Sequence, residues 1–580
     1  MSKDDVADAL DEIGVLLELQ GENAFRCNAY FNGARTVRSL SADLKQLVAD
    51  KTLGQVRGLG AALAEKITTL VTTGDLPYLA ELRGQVPAGL IEMRQLQGIG
   101  SKKVKALHDA LGVDTLDKLK AACEAGEVAK LKGFGAKTQA NILEALRFRE
   151  EAGKRVRIDQ ATGLVAALVE RVRALPGVVR AEACGSVRRR RETCGDLDIL
   201  ASSADAQPVI DAFAAFPEVV RVLGQGPTKA SVLATSRVDG EKVTLQADLR
   251  VVTDDLFPFG LHYFTGSKAH NIRMRQRALD RGWQLSEYGL GTADAPIACK
   301  TEADIFAALD LEYVAPELRE DTGEIEAAEA KALPRLLEPG DIRGVFHNHT
   351  TYSDGSASLE EMALAAKALG WEYFGVGDHS QSLAVARGMP PSVVRKQWAE
   401  IDAVNAKLSG VRILKGIESD ILQDGSLDYD DEMLAGFDYV VGSVHTHFTL
   451  TEAEQTERVC RALAHPALTM LGHATGRLLL RREGYKIDLE EVLKTAARFG
   501  KMVEINANPY RLDLDWVHVK RAKALGVLLV INPDAHSPDQ LALTRFGVDV
   551  ARRGWLEAKD VFNTRSLAEV QAELARRKRA

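Results

Sequence analysis

The chain runs to 580 residues, enough for three to five domains at about 100–200 residues each. A hydrophobic content of 46% with 27% charged residues suits a soluble globular protein, no apolar run approaches the roughly 18 residues of a membrane span, and the acidic opening MSKDDVADAL lacks the apolar core of a secretory signal. Six cysteines without CxxC pairing argue against a disulfide framework or a thiolate zinc site and for a reducing cytoplasm, while a net charge of −8 argues against a protein that coats nucleic acid by bulk charge.

Residues 1–150 balance 20 Lys+Arg against 20 Asp+Glu, so DNA binding there has to rest on local geometry. Three related elements supply it: RGLGAALAEKI (Arg57–Ile67), QGIGSKKVKAL (Gln97–Leu107) and KGFGAKTQANI (Lys132–Ile142). Each places Gly-hydrophobic-Gly ahead of an amphipathic helix. Glycine permits a tight turn and close approach of another backbone, and the helix start offers amides to an anion. The pattern resembles the helix-hairpin-helix motif, which grips a phosphate backbone without reading bases. That resemblance makes Gly58, Gly60, Gly98, Gly100, Gly133 and Gly135 the expected DNA contacts.

The next informative stretch is GSVRRRRETCGDLDIL, Gly185 to Leu200. Ala181–Cys184 and Asp196–Leu200 read as short strands. Residues i and i+2 of a strand share a face, so Asp196 and Asp198 can hold divalent metal together. Gly185 and Ser186 sit at a helix start, where phosphate is favoured, and Arg189 can add a charge-assisted contact. Asp248 and Arg250 share a face of a later strand, VTLQADLRVV, and supply a third carboxylate. Three carboxylates beside a phosphate-gripping turn are what two-metal nucleotidyl transfer needs.

These motifs resemble the palm of family X DNA polymerases, relatives of DNA polymerase beta. The segment Tyr263-Phe-Thr-Gly-Ser267 with Asn271 and Arg275 is similar to the family's nucleotide-facing segment. The resemblance implies that Ser186, Arg189 and Gly195 hold the triphosphate and that Tyr263, Phe264 and Gly266 wall the sugar. It further implies that Asn271 reaches the base edge and Arg275 lies toward the template, with Gly185, Arg250 and Lys268 completing the nucleotide site. Two Mg²⁺ or Mn²⁺ would bind Asp196, Asp198 and Asp248, and Asp248 would activate the primer 3′-hydroxyl. Cys194 stands where serine is usual, which weakens one expected phosphate contact. Residues 1–85 and 86–150 then correspond to the amino-terminal domain and fingers, and 151–315 to palm and thumb. Lys66 matches the Schiff-base lysine of the lyase found in some members. Ala62 replaces an expected phosphate-binding lysine, however, so a solvated helix lysine is the simpler account. Arg26 and Tyr30 keep a 5′-phosphate pocket in view.

Residues 316–340 are acidic, alanine-rich and bounded by prolines, and read as a helix-bearing linker. Nine of the twelve histidines follow residue 346. His347, His349, Asp354, His379, Glu418, His445, His473, Asp534 and His536 each follow a strand-like run, with helical segments such as Leu359–Leu369 and Asp488–Phe499 between. Alternation of this kind suggests parallel strands whose carboxyl ends converge on one face. Mixed imidazole and carboxylate ligands suit Mn²⁺, Zn²⁺ or Fe²⁺. The pattern resembles the polymerase and histidinol phosphatase (PHP) domain, a distorted (β/α)7 barrel with a trinuclear cluster, over 341–580. The resemblance implies that Glu418 or Asp534 bridges metals and that Asn506, Asn508 and Arg511 contact substrate phosphate. Pro533 replaces an expected threonine beside the ligands and removes a backbone donor.

The expectation is therefore a multidomain α+β and α/β protein: helical hairpin domains, a nucleotidyltransferase palm with thumb, and the barrel. It would be a monomeric cytoplasmic enzyme at the nucleoid that binds gapped or nicked DNA and dNTPs and fills short gaps in repair. Its carboxy-terminal centre would use up to three Mn²⁺ or Zn²⁺ ions as a 3′→5′ exonuclease, with cleavage at abasic sites as a second activity. Two other readings stand beside it: a phosphoesterase carrying a relic palm, and a non-catalytic scaffold for DNA ends.

Overall fold

The computed structural model describes residues 3–578 apart from positions 39, 41–43, 57, 95, 97, 98, 153, 154 and 239. The chain divides into two compact units, Met1–Gly153 and Lys154–Ala580.

The first unit is helical throughout its described residues. Its core joins Leu10 and Leu17 of Lys3–Gln20 with Ile67 of Ala61–Thr73, Val104 and Leu107 of Ser101–Leu111, and Leu119 of Leu116–Glu124. The expected boundary at 85/86 is not a break in packing. Ser101 Oγ donates to Glu18 across it at 2.7 Å, and one hydrophobic cluster spans both sides of the boundary.

In the second unit a five-stranded sheet comes first: β1 (Val178–Ala183), β2 (Asp196–Ser203), β3 (Val219–Gln225), β4 (Lys229–Val238) and β5 (Glu241–Val252), in spatial order β1-β2-β5-β4-β3. Only β2 and β5 run parallel, and their register sets Asp198 opposite Asp248. Helix Ile158–Arg173 buries Leu164, Leu168 and Val172 against one face of this sheet, leaving the aspartates on the other. Three further helices, Phe257–Thr265, Lys268–Leu279 and Glu302–Ala308, enclose a separate core around Phe259, Met274 and Phe306.

The 316–340 segment is not a free tether. It carries a short helix, Glu324–Glu329, and its acidic residues are taken up in ion pairs: Glu317 with Arg552 at 2.9 Å and Glu320 with Arg553 at 3.2 Å. Glu317 and Glu320 thereby tie the segment to arginines more than 200 residues away, while Asp321, Glu326 and Glu329 pair with Arg273 and Arg277.

Eight short parallel strands follow: β6 (Gly344–Val345), β7 (Tyr373–Gly375), β8 (Arg412–Leu414), β9 (Gly416–Asp420), β10 (Tyr439–Ser443), β11 (Met470–Leu471), β12 (Met502–Asn506) and β13 (Leu529–Asn532). They form the sheets β6-β7-β8 and β9 to β13 in sequence order. Isolated parallel bridges, His379↔Glu418 and Asn348↔Ala535, join the two sheets at both ends. Helices begin at side-chain caps such as Ser358, Thr451 and Asp488, so the intervening segments have defined starts. Apart from the exposed Arg412 at the start of β8, the strands are buried along their whole length, as parallel strands covered on both faces must be. Buried apolar side chains from 158–251 and 337–561 form one continuous cluster.

Two packing units with separate cores should unfold separately. We expect calorimetry to resolve two transitions. Leu107→Ala, in a wholly buried position, should lower one of them by the ~2–5 kcal/mol typical of a core truncation. Leu168→Ala and Leu493→Ala, though in the palm and the histidine-rich region respectively, should both lower the other. Three transitions, with the last two substitutions acting on different ones, would contradict a shared core.

Candidate functional site

The palm site is assembled by strand alternation and one close approach. Asp196 is exposed, Asp198 and Asp248 are half-buried on the same face of the β2–β5 pair, and Lys229 pairs with Asp248 at 2.7 Å. Burial, with Asp196 and Asp248 adding like charge, pushes Asp198 up to about 6. Burial also works against ionisation of Asp248, but hydrogen bonds from Lys229, Gln246 and Ser231 outweigh it and lower its pKa. Gly185 has φ +59, and a Cβ there would sit 2.2 Å from Asp198 Oδ2. Only glycine lets this turn come so close to the carboxylate. Ser186 Oγ is buried, with the Cys194 thiol as its neighbour and no hydrogen bond of regular geometry.

Around it, Tyr263 and Phe264 meet edge to face at 5.2 Å, and Arg250 lies over the Phe264 ring at 5.0 Å. Gly266 is buried and adopts φ +66. Lys268 and Arg275 are exposed and Gly195 is half-buried. Asn271 is buried, with its amide nitrogen donating to the Tyr263 carbonyl at 2.8 Å. Arg189 is buried too: Nε donates to Glu320 at 3.2 Å and Nη1 to the Thr265 carbonyl at 2.5 Å. Cys194 is wholly buried in the core, so its thiol is not placed to meet a phosphate.

In the histidine-rich region the nine expected ligands come together. Three groups have ligand atoms within 4.8 Å of one another: His349, Asp354, His379 and His536; His347, His349 and Asp534; and His379, Glu418 and His445. His473 Nε2 approaches Glu418 at 3.0 Å. Glu418 is fully buried, yet the surrounding imidazoles hold its carboxyl well below the usual range against the effect of burial. Burial and the neighbouring imidazoles His536 and His379 press His349 down to about 4. At His379 burial opposes protonation, but Glu418 and Asp354 raise it to about 10.

The donor set fits divalent metal. His379 Nδ1 and Glu418 Oε2 are 2.7 Å apart without hydrogen-bond alignment, and His347 Nε2 and His349 Nδ1 are buried without partners. His349 Nε2 and His473 Nε2 meet Asp534 and Glu418 directly, but the atoms left without partners in this buried cluster are donors that a cation can satisfy. Pro533 does not displace the ligand after it, since Asp534 Oδ1 lies 3.0 Å from His349 Nε2.

Two orienting carboxylates escaped sequence reasoning. Glu504 accepts from His347 Nδ1 at 2.8 Å and from the His473 amide at 2.7 Å; Asp420 lies 2.5 Å from His445 Nδ1. Asp420 was findable, because it follows Glu418 by two residues on one strand. Glu504 sits in an apolar run, MVEIN, and carries no such signal. Among the expected phosphate contacts, Asn506 is buried and donates to Asp534 at 3.1 Å, Asn508 is half-buried with Oδ1 accepting from the Tyr510 amide, and Arg511 lies 3.4 Å from Asp534.

In the first unit, helices Ala61–Thr73 and Ser101–Leu111 start at Gly60 and Gly100 without a side-chain cap, so first-turn amides remain for an outside acceptor. A Cβ at Gly60, Gly100, Gly133 or Gly135 would meet open space, while Gly58 at φ +97 lies against Thr36. Gly98, like Arg57 and Gln97, lies outside the described residues. Lys66 Nζ is 5.0 Å from the Tyr78 ring, and Arg26 donates to Tyr78 at 3.0 Å while pairing with Glu22 at 2.9 Å. Burial and Tyr78 push Tyr30 up to about 12. Tyr78 thus ties the Lys66, Arg26 and Tyr30 cluster together, a role the sequence did not announce.

Known proteins match this layout in order. Residues 1–76 match a helix-hairpin-helix domain, 90–147 a SAM-like helix-hairpin-helix tandem, 155–238 the DNA polymerase beta palm, 260–320 its thumb and 346–508 the PHP domain. The DNA polymerase/3′-5′ exonuclease PolX of Bacillus subtilis (strain 168) is 38% identical over 579 residues, 99% of this chain and 100% of that protein. The chain belongs to the family X DNA polymerases. A probable phosphatase of Thermoanaerobacter sp. (strain X514) is 26% identical over 244 residues, 40% of this polymerase and 94% of that protein. Another, from Caldanaerobacter subterraneus subsp. tengcongensis, is 27% identical over 208 residues, 34% and 77% of the two chains.

Two measurements follow for the polymerase. If Asp198 holds metal, a proton competes for it, because its raised pKa favours the protonated form below about 6. The Mg²⁺ needed for half-maximal synthesis should be flat above pH 7 and rise as pH falls through 6, by up to about tenfold per unit. A flat requirement down to pH 5 would contradict this. Removing an orienting carboxylate, Glu504→Gln, should weaken metal retention at the histidine centre about 10–100-fold in a chelator competition. Unchanged retention would mean that the ring orientations are fixed elsewhere.

Proposed function

We propose that this polymerase fills short gaps during DNA repair and trims 3′ ends at its PHP centre. The observation that carries the reading is that both sets of acidic and imidazole ligands are complete and converge, each on its own scaffold. A relic palm would have no reason to keep Asp198 opposite Asp248 with Gly185 giving way to it.

Asp196, Asp198 and Asp248 would hold two Mg²⁺ or Mn²⁺, and His347, His349, Asp354, His379, Glu418, His445, His473, Asp534 and His536 up to three Mn²⁺ or Zn²⁺. Bound there, the ions neutralise the reacting phosphate and lower the pKa of the attacking oxygen. Asp248, kept ionised by Lys229 and Gln246, is the carboxylate best prepared to receive the proton of the primer 3′-hydroxyl. Ser186 Oγ and the amides of the Gly185 turn bind the triphosphate, and Arg189 offers Nη2, its remaining donor. Tyr263, Phe264 and Gly266 wall the sugar. Asn271 turns its unpartnered Oδ1 toward the base edge, with Arg250, Lys268 and Arg275 along the DNA. Arg511 receives the scissile phosphate at the nuclease centre, which also serves cleavage at abasic sites.

The hairpin glycines bind the DNA backbone, and Arg26 with Tyr78 takes a 5′-phosphate across the gap. Lys66, beside the same tyrosine, is the candidate nucleophile if lyase chemistry accompanies that binding. No helix among the described residues is long and apolar enough to cross a membrane; the enzyme is read as a monomer working in the cytoplasm at the nucleoid.

The test uses one gapped substrate. Asp198→Ala should abolish dNTP incorporation and leave 3′→5′ degradation, while the double substitution of His347 and His349 by Ala should do the reverse. Degradation should run faster in Mn²⁺ than in Mg²⁺. Loss of both activities in the Asp198 variant, with the fold intact, would sink the two-centre reading.

A further inference from the structure

The loop from Arg189 to Glu192 links the phosphate-facing helix Gly185–Arg188 to β2, which carries Asp196 and Asp198. Three of its four residues are held by side chains from the PHP region. Arg553 donates Nη1 to the Arg189 carbonyl at 2.5 Å, Asp549 lies 3.7 Å from Arg190, and Arg477 pairs with Glu192 at 2.8 Å. Arg190 takes the left-handed conformation, φ +57, which an L-residue keeps only when its surroundings fix it.

Arg553 does more than touch the backbone. It is 1% exposed, at the end of helix Thr544–Arg553, with its guanidinium 5.0 Å from the Trp516 ring. Its Nη2 donates to Glu320 Oε1 at 3.2 Å, and that same oxygen accepts from Arg189 Nε at 3.2 Å. Arg189 Nη1 is fixed on the Thr265 carbonyl, where a Cβ at Gly266 would come within 3.2 Å of it. Arg553 therefore grips the Arg189 main chain directly and its side chain through Glu320. Two of the three guanidinium nitrogens of Arg189 are engaged in holding it still. Nη2 has no hydrogen-bond partner among the described residues and is the donor left to meet a ligand.

We propose that Arg553 of the PHP region is a positioning residue for DNA synthesis, setting Arg189 for the triphosphate of the incoming nucleotide. The inference rests on the reading of Arg189 as a triphosphate contact. It gives the PHP region a part in polymerisation that does not involve its metal ligands. A guanidinium is needed because one planar fork has to reach a carbonyl and a carboxylate at once; an ammonium serves one of them well.

The experiment compares Arg553→Met, Arg553→Lys and Arg189→Ala in the full-length protein. It measures steady-state gap filling over a dNTP range, 3′→5′ degradation and thermal unfolding. Arg553→Met should raise KM for dNTP roughly tenfold, the effect of losing a charged hydrogen bond, with kcat changed less than about twofold. Arg553→Lys should recover part of that loss. Combining Arg553→Met with Arg189→Ala should cost no more than Arg189→Ala alone, because both act through one side chain. Degradation should stay at the wild-type rate in both Arg553 variants. If Arg189→Ala raises KM while neither Arg553 variant does, the positioning role is wrong and the reading of Arg189 stands. If Arg189→Ala leaves KM unchanged, both fall. Equal losses in KM, kcat, degradation and unfolding temperature, with no recovery by lysine, would reduce Arg553 to a packing residue. Should Arg553→Met fail to fold, Arg553→Lys decides the matter by the same readouts.

Discussion

Glu418 is 1% exposed, and the nitrogens of five histidines lie within 3.9 Å of its oxygens: His379 at 2.7 Å, His473 at 3.0 Å, His347 at 3.2 Å, His445 at 3.3 Å and His349 at 3.9 Å. A carboxylate taken out of water at such a place is tenable only when positive charge answers it. Protons on the imidazoles can do so, and divalent cations do so better, since they also satisfy nitrogens that have no hydrogen-bond partner. The parallel strands exist to bring those groups to one end, and Glu504 and Asp420 hold the rings so that the right nitrogen faces inward. The same demand, met differently, organises the palm. There Asp198 shares its face with two other carboxylates and one lysine, so the site is short of positive charge until ions or DNA-bound metal arrive.

Charge compensation also builds the seam between the palm, thumb and PHP regions. Glu302 is buried between Arg188 and Arg319, at 2.5 and 2.7 Å, and despite burial these two arginines lower it to about 2. Arg157 stacks 3.7 Å over the Tyr510 ring, while Arg481 pairs with Glu241 at 2.7 Å. Paired charges inside a seam fix geometry more than they add stability, because desolvation offsets much of the attraction. A rigid seam suits a molecule in which one catalytic loop takes its shape from a neighbouring region.

What the sequence made legible follows from local periodicity. Asp196 and Asp198 were readable because strand alternation is local, and the strand-end histidines because each follows an apolar run. Gly185 was readable as a turn, though not as the residue that makes room for a carboxylate. The rest depends on contacts between residues far apart in sequence. Arg189 and Arg553 are separated by 364 positions, and nothing near either one announces the other. Glu504 hides in a strand whose other residues are apolar or amide. The 316–340 segment has the composition of a helix-bearing linker, and its place in the packed structure comes from Leu318, Ile325 and Ala328 in a core and from arginine partners remote in sequence. Asn506 shows a related ambiguity: an amide near a metal site serves equally as ligand contact or internal brace, and only the fold reveals that it donates to Asp534.

The claim that buried anions and imidazoles here are arranged for cations is tested most directly by titrating the metal-free full-length protein with Mn²⁺ and following the electron paramagnetic resonance signal. Two classes of site are expected. About three ions should bind tightly and give the broadened signal of closely spaced, interacting centres, as three overlapping ligand groups demand. A weaker class at the aspartates should appear after them and exchange readily with Mg²⁺. A single class of weak, isolated ions, with no interacting signal at any loading, would contradict it.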